Sequence, residues 1–187
     1  MATVESEGRG LVAEVQRDHR EIERMLERVD RTTGTERRDA FEELARKLVV
    51  HETAEELLVH PLLQHTDAEP VADEMLEQEH EVKRSLSELD GIDVTSDDFE
   101  RRYMRLRGDV LSHARQEESD EHPLVAAAES PEHLDDLGGI FELADRAATM
   151  RPHSDAPGAS PVILALGPAL SVSDRVKESL ERALDRP

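Results

Sequence analysis

The sequence contains no cysteine, which excludes disulfide bonds, thiolate metal sites and cysteine nucleophiles. Basic residues are also scarce, since 23 Lys and Arg stand against 44 Asp and Glu and give a net charge of −21. Nucleic acids and anionic membranes bind clustered positive charge, so neither is an expected partner. No apolar run approaches the ~18 residues of a membrane span, and no segment resembles a signal peptide, so we expect a cytoplasmic protein.

Helix-forming residues are abundant, because the chain is rich in Leu, Ala, Glu and Arg. Apolar residues recur at alternating spacings of three and four, which is the period of a helix with one buried face. This pattern predicts four long helices and a fifth that begins with a proline at its first helical position. Their approximate ranges are 9–30, 36–65, 69–89, 97–128 and 131–150.

One pattern of residues occurs twice, 62 positions apart. Residues 51–61 read HETAEELLVHP, and residues 113–123 read HARQEESDEHP, so both have the form H-x-x-x-E-E-x-x-x-H-P. The shared positions are His51, Glu55, Glu56, His60 and Pro61 in the first copy, and His113, Glu117, Glu118, His122 and Pro123 in the second. A single His-x-x-x-Glu is weak evidence of a site in a Glu-rich chain, but two copies in matched surroundings are much stronger.

The histidine and the glutamate four residues later lie on one face of a helix, roughly 5–6 Å apart at Cβ. The apolar stripe of the second helix includes His51 and Glu55 as consecutive inward positions, and that of the fourth includes His113 and Glu117 and continues to Asp120. A buried carboxylate without a partner is costly, and a bound metal removes that cost. Transition metals such as iron accept both imidazole and carboxylate ligands, so the pattern predicts a metal centre.

Two single histidines complete an internal repeat. His19 precedes His51 by 32 residues, and His80 precedes His113 by 33. Four long helices with short loops favour an all-α, up-down-up-down bundle, in which inward side chains of facing helices build metal sites. The phase of His80 is imperfect, because it lies roughly 160° around the helix from the apolar Val82.

The order H…HxxxE…H…HxxxE resembles the hemerythrin-like, HHE cation-binding domain over about residues 9–128. The resemblance implies a four-helix bundle that holds two non-haem iron ions, oxo- or hydroxo-bridged. Its ligands would be two bridging glutamates and four terminal histidines, namely Glu55, Glu117, His19, His51, His80 and His113. Glu52 corresponds to an extra ligand of some members. Asp120 is a candidate added ligand, a hydrogen-bond acceptor or a tolerated acid near a helix end.

The chain departs from the family pattern before each motif proline. That position is often aromatic in the family, but here it is occupied by His60 and His122. Both lie about 180° around an α-helix from the first histidine of their motif, so we expect them at the surface. The fifth ligating histidine of the oxygen-carrying hemerythrins has no counterpart that we can place in this chain.

Two parts of the chain are predicted. Residues 1–150 would form the bundle with its fifth helix, and residues 151–187 would form an extension. Residues 151–161 are rich in Pro, Gly and Ser and are typical of a linker. A short amphipathic helix is predicted after it, over about 173–185. The extension is similar to those on some bacterial members of the family.

These features favour a cytoplasmic non-haem di-iron protein that binds or reacts with O2, peroxide or nitric oxide. Two alternatives stay open: an enzyme that decomposes peroxide in catalase-like fashion, and a metal-stabilised regulatory helical module. A ferritin-like centre would need two Glu-x-x-His motifs, and only Glu77 to His80 fits. A structural zinc site would usually hold four ligands, fewer than the resemblance implies here. The oligomeric state is left open.

Overall fold

The computed structural model describes residues 10–149, and every regular element in that range is helical. The helices are α1 Leu11–Arg31, α2 Gly34–Leu58, α3 Glu69–Leu89, α4 Asp97–Gln116, α5 His122–Ala128 and α6 Pro131–Thr149. A 3₁₀ turn, His60–Leu62, follows α2, and a π-helical segment, Glu117–Glu121, joins α4 to α5. The predicted all-α class is confirmed. The predicted linker and C-terminal helix lie outside the described residues.

The helices pack in pairs, with α1 along α2 and α3 along α4. Only Thr32 and Thr33 separate α1 from α2, and so short a connection favours antiparallel neighbours. α6 lies against both α1 and α2. The predicted four-helix bundle with an additional helix is therefore confirmed. Between residues 10 and 149, no helix is long and apolar enough to cross a membrane.

A layer of buried polar residues lies between two apolar clusters. The first cluster is centred on the packed rings of Phe41, Phe99 and Tyr103. The second cluster includes Leu11, Leu58 and Phe141. On α1, for example, the buried His19 stands between Val15 of the second cluster and Ile22 of the first. The apolar clusters therefore enclose the polar layer from both sides along the bundle.

Both copies of the repeated motif leave α-helical geometry close to the motif glutamate. α2 ends at Leu58 and gives way to the 3₁₀ turn, whereas α4 ends at Gln116 and gives way to the π segment. A π-helical turn takes i→i+5 hydrogen bonds and so contains an extra residue, which rotates the chain that follows it. Glu121 is consequently buried, whereas Asp120, which the stripe predicted to face inward, is exposed.

α6 docks closely on the start of α1 through a glycine. A Cβ atom on Gly138 would lie 2.7 Å from the carbonyl carbon of Gly10 and 2.9 Å from the backbone nitrogen of Leu11. Any larger residue at position 138 would therefore push the two backbones apart. Further along α6, the ring of Phe141 packs edge-on against the ring of His51, with centroids 6.1 Å apart. The helix thus reaches the edge of the polar layer.

Candidate metal centre

Two groups of potential ligands meet in the polar layer. The first comprises His19, His51, Glu55 and Glu117, and we call it the first site. Nε2 of His19 lies 3.1 Å from Oε2 of Glu117 and 3.9 Å from Oε1 of Glu55. Nε2 of His51 lies 3.3 Å from Oε2 of Glu55. One ligand atom of each residue lies within 4.8 Å of the others, which is close enough to share one ion.

The second site adjoins the first and overlaps with it. It comprises Glu52, Glu55, Glu79 and His113. Nε2 of His113 lies 3.6 Å from Oε2 of Glu52. Glu55 belongs to both sites, and Glu117 also faces both, because its Oε1 lies 3.2 Å from Nε2 of His113. Glu55 and Glu117 thus stand where carboxylates shared between two ions would be placed.

The outer ring nitrogens of the three histidines face side-chain oxygens. The contacts of Nδ1 are His19 to Oε1 of Glu118 at 2.9 Å, His113 to Oε1 of Gln78 at 3.1 Å, and His51 to Oδ2 of Asp18 at 3.5 Å. An oxygen acceptor at Nδ1 favours the tautomer that keeps the proton there, which leaves the lone pair of Nε2 for the centre. The rings of His19 and His113 are therefore oriented as metal-ligating histidines are, whereas Nδ1 of His51 makes only the longer contact with Asp18 and no hydrogen bond.

The inward polar atoms have no hydrogen-bond partner among the described residues. They are Nε2 of His19 and His113, both oxygens of Glu55 and Glu117, and Oε2 of Glu52 and Glu79. Each unsatisfied buried group costs roughly 1–3 kcal/mol, and a cation among them would satisfy the whole set. Imidazole nitrogen and carboxylate oxygen form a donor set that first-row transition metals accept. The residues present therefore fit a metal centre.

The metal-free centre has an uneven distribution of charge. Burial raises the pKa of Glu55 well above its ordinary value, and the charges of Glu117 and Glu79 raise it further. Burial also opposes the charge of Glu117, but His113 and His19 outweigh burial and hold that pKa well below its ordinary value. Burial disfavours the charged form of His113, yet Glu117 and other carboxylates raise its pKa to about 11. A metal ion that binds here displaces protons from this network.

His80, expected to be a terminal ligand, lies outside both sites. Its side chain is 50% exposed, and its Nε2 lies 3.6 Å from Oε1 of Glu56. The preceding residue, Glu79, is fully buried and belongs to the second site. Helical phase is the reason, because Met75, Glu79 and Val82 follow the four–three spacing of the buried stripe and His80 falls beside it. The spacing of the buried stripe therefore identifies Glu79 as the inward residue, although the internal repeat of the sequence favours the histidine beside it as the ligand.

Separate alanine substitutions distinguish Glu79 from His80. Glu79→Ala removes a potential ligand of the second site alone, so a chain that holds one ion in each site is expected to fall to about half of the wild-type metal content. His80→Ala is expected to keep the full content. Metal analysis of the purified, iron-loaded variants measures both. Loss of metal from His80→Ala together with its retention in Glu79→Ala would support His80 as the ligand, as the sequence predicts.

The two additional candidate ligands have different surroundings. Glu52 is buried within the second site. Asp120 is exposed and accepts a hydrogen bond from Oγ of Ser119 at 2.7 Å, so the structure does not bring it to the centre. Glu121 takes the buried side, with its Oε1 2.9 Å from Nδ1 of His60. The π segment causes this one-residue shift, which α-helical periodicity does not foresee.

His60 and His122 are buried rather than at the surface, where we expected them. Nε2 of His60 lies 2.5 Å from Oε1 of Glu79, and its Nδ1 faces Glu121. Burial favours the neutral ring, but these carboxylates raise the pKa of His60 to about 10. Burial lowers the pKa of His122 to about 4, and its ring stacks on that of His19. The departures from α-helical geometry turn both histidines inward.

A buried lysine extends the network from the first site to α6. Nζ of Lys47 lies 2.8 Å from Oδ1 of Asp18 and 2.5 Å from Oδ1 of Asp145 on α6. Asp18 in turn faces Nδ1 of His51. Asp18, Glu21 and Asp145 are close enough together to surround a cation, and the ammonium group of Lys47 already provides the positive charge. Burial opposes that charge, but the carboxylates hold the pKa of Lys47 above its ordinary value.

Asp145→Asn removes one charged partner of Lys47. Because burial and Asp18 raise the pKa of Asp145 and so oppose its charge, the free energy of unfolding should fall by no more than about 1 kcal/mol. The side chain of Asp145 is 23% exposed, so the effect should be smaller than that of breaking a fully buried pair. Glu142→Gln, at an exposed ion pair of the same helix, is the matched control and should cost under ~0.5 kcal/mol. Urea denaturation measures both, and equal effects would remove Asp145 from the buried network.

The chain is a helical bundle with two adjoining histidine–carboxylate sites in its polar layer. This arrangement is that of a metal-binding helical domain. The sequence model of the family described as "Hemerythrin HHE cation binding domain" matches residues 10–125. The chain therefore belongs to the hemerythrin HHE cation-binding family, which confirms the resemblance found in its motifs. α6 lies beyond the matched residues.

The chain is also similar to a protein named DNA nickase from Nostoc sp. (strain PCC 7120 / SAG 25.82 / UTEX 2576). The two are 23% identical over 146 residues, which cover 78% of this chain and 42% of that protein. The chain thus spans less than half the length of this relative. No solved structure matches the chain.

Proposed function

We propose that this chain holds two iron ions, one in each site, and binds or reacts with a small molecule: O2, peroxide or nitric oxide. One observation carries the proposal, namely that two adjoining ligand groups share Glu55 and both contact Glu117. Membership of the hemerythrin HHE family supports metal binding as such. The paired arrangement supports two ions rather than one.

The two sites differ in the number of their own protein ligands. These are His19 and His51 for the first site, and His113, Glu52 and Glu79 for the second. Both sites also reach the shared carboxylates of Glu55 and Glu117. A set of two histidines and carboxylates with open positions is typical of non-haem iron that reacts with oxygen species. The first site therefore has more room for an incoming small molecule.

Bound iron would supply coordination positions and redox chemistry for the small molecule. The residues of the chain hold and shield those positions. Asp18, Gln78 and Glu118 support the outer nitrogens of the ligating histidines, and His60 holds Glu79 by its Nε2. The apolar clusters on both sides of the polar layer keep bulk water away. The proposal requires no general base from the chain.

Aerobic loading of the full chain with iron tests the proposal. We expect about two irons per chain by metal analysis, together with near-ultraviolet absorption that iron-free protein lacks. Zinc loading under the same conditions serves as a spectroscopically silent control. A chain that takes up no iron and gains no such absorption would refute the proposal.

Binding and catalysis at the same centre are separated by kinetics. Stopped-flow mixing of reduced protein with O2 or nitric oxide measures binding, and oxygen evolution measures peroxide decomposition. Sustained oxygen evolution would favour the catalase-like alternative. Metal that stabilises the chain but supports neither behaviour would favour a regulatory helical module.

The name of the Nostoc relative raises the cleavage of nucleic acid, but the charge of this chain opposes it. The net charge is −21, whereas binding to a phosphate backbone depends on clustered Lys and Arg. We therefore propose a small-molecule ligand and no nucleic acid. Supercoiled plasmid incubated with iron-loaded protein at low salt should stay intact, and its conversion to nicked circles would overturn this choice.

A further inference from the structure

The two histidines that precede the motif prolines occupy equivalent positions in the repeat but have opposite surroundings. His60 and His122 are each 3% exposed. Both ring nitrogens of His60 have carboxylate partners, on Glu79 and Glu121. Neither ring nitrogen of His122 has a hydrogen-bond partner within residues 10–149. His122 is thus a buried imidazole whose polar atoms are not used by the fold.

The unpaired nitrogens of His122 lie beside the first site. The ring stacks on that of His19, with centroids 5.8 Å apart and planes inclined by 9°. His122 is not among the residues whose ligand atoms gather within 4.8 Å of one another in the first site. It therefore adjoins the ligands of the first site without belonging to them.

Buried polar groups in folded proteins nearly always have a hydrogen-bond partner, and an exception calls for an explanation. A neutral imidazole offers one N–H donor and one acceptor nitrogen. The described part of the chain provides no partner for either atom of His122. A partner for these two atoms would therefore come from outside the described residues.

The first site is also where the protein supplies fewer ligands, so the small molecule and the unpaired ring meet at the same end of the centre. We propose that His122 is the hydrogen-bond partner of the small molecule that binds at the first site, through an oxygen or nitrogen acceptor of that molecule. The ring holds the molecule against the His19 side of the centre. This inference rests on the proposed function.

Azide titration of the iron-loaded protein tests the inference, because azide is a small anion with terminal nitrogen acceptors. His122→Phe keeps an aromatic ring in place but removes both nitrogens. We expect this variant to retain the wild-type iron content and to bind azide about tenfold more weakly, as the loss of a hydrogen bond to a charged acceptor implies. His122→Gln keeps an N–H donor and should recover part of the affinity.

Melting of the iron-free protein provides a second readout that does not depend on the loaded centre. His122→Phe should melt above the wild type, because it removes polar atoms that are buried without partners. His60→Phe is the matched control from the other half of the repeat. It should melt below the wild type, since Glu79 and Glu121 lose their shared partner.

The possible results separate the inference from the proposed function. Wild-type azide affinity in His122→Phe, at wild-type iron content, would overturn the inference and leave the di-iron centre standing. Loss of iron on this substitution would make His122 a metal ligand and would also overturn the hydrogen-bonding role. A lower melting temperature for iron-free His122→Phe would assign the ring to the fold. A wild-type chain that takes up no iron would refute the proposed function, and this inference with it.

Discussion

Replacement of Glu55 by alanine is expected to remove most of the bound iron. Glu55 belongs to both sites, and its two oxygens face His19 and His51 at 3.9 and 3.3 Å. Both oxygens are buried without a hydrogen-bond partner in the described chain, so both are available to a metal ion. The substitution therefore weakens two sites at once, whereas the loss of one histidine weakens one. Metal analysis after iron loading and desalting measures the effect.

Two further variants make this experiment specific. Glu56→Ala changes the next residue of α2, which pairs with Lys83 instead of facing the centre, and it should keep the full iron content. Glu55→Gln preserves the size of the side chain but removes its charge, and it should lose iron as Glu55→Ala does. Circular dichroism verifies that each variant is folded. Full iron content in Glu55→Ala, or equal losses in the Glu56 control, would contradict the shared role of Glu55.

Removal of the metal is expected to lower the melting temperature by roughly 10 °C. The metal-free interior contains four carboxylates within two small groups, Glu52, Glu55, Glu79 and Glu117. Burial and the neighbouring carboxylates raise the pKa values of Glu55 and Glu79 and so disfavour the ionised forms of these two side chains. A metal that binds only the folded chain stabilises it by about 3–4 kcal/mol when its concentration is some hundred to a thousand times its Kd. That free energy corresponds to the stated shift for a domain of this size.

Calorimetry of iron-free and iron-loaded protein at neutral pH measures the shift. The Glu55→Ala variant is the matched control, because iron added to it should leave its melting temperature nearly unchanged. The difference between loaded and unloaded wild type should also grow with the iron concentration, as mass action requires. Equal melting temperatures with and without bound iron would place the metal at the periphery instead of in the polar layer.

Helical periodicity predicted the middle of the centre because that part of the chain is regular. His19, His51 and Glu55 lie on uninterrupted α-helices, where residues three and four apart share one face with the apolar stripe. The π segment begins at Glu117, so it does not change the direction in which His113 and Glu117 face. Both of these residues are also buried in the polar layer. For such positions the sequence alone indicates which side chains face inward.

The structure differs from the expectation where that regularity ends, and also at His80. His60 and Asp120 lie within the departures from α-helical geometry and His122 directly follows one. A period of 3.6 residues gives no warning of the rotation that they cause. His80 is a different case, because its helix is regular and its phase already favoured Glu79. The sequence does not predict the buried contacts of Lys47 with Asp18 and Asp145. The contact with Asp145 joins residues 98 apart in the sequence, and no local pattern encodes it.

α6 makes two contacts near His51, and a metal ion bound by His51 would couple its own affinity to the docking of this helix. Phe141 packs on the imidazole itself, and Asp145 reaches it through Lys47 and Asp18. Coupling between two binding events is reciprocal, so the factor by which docked α6 strengthens metal binding equals the factor by which metal strengthens the docking of α6. A change that loosens α6 near Asp145 would therefore weaken metal binding. Loss of the metal would in turn weaken the docking of α6 by the same free energy.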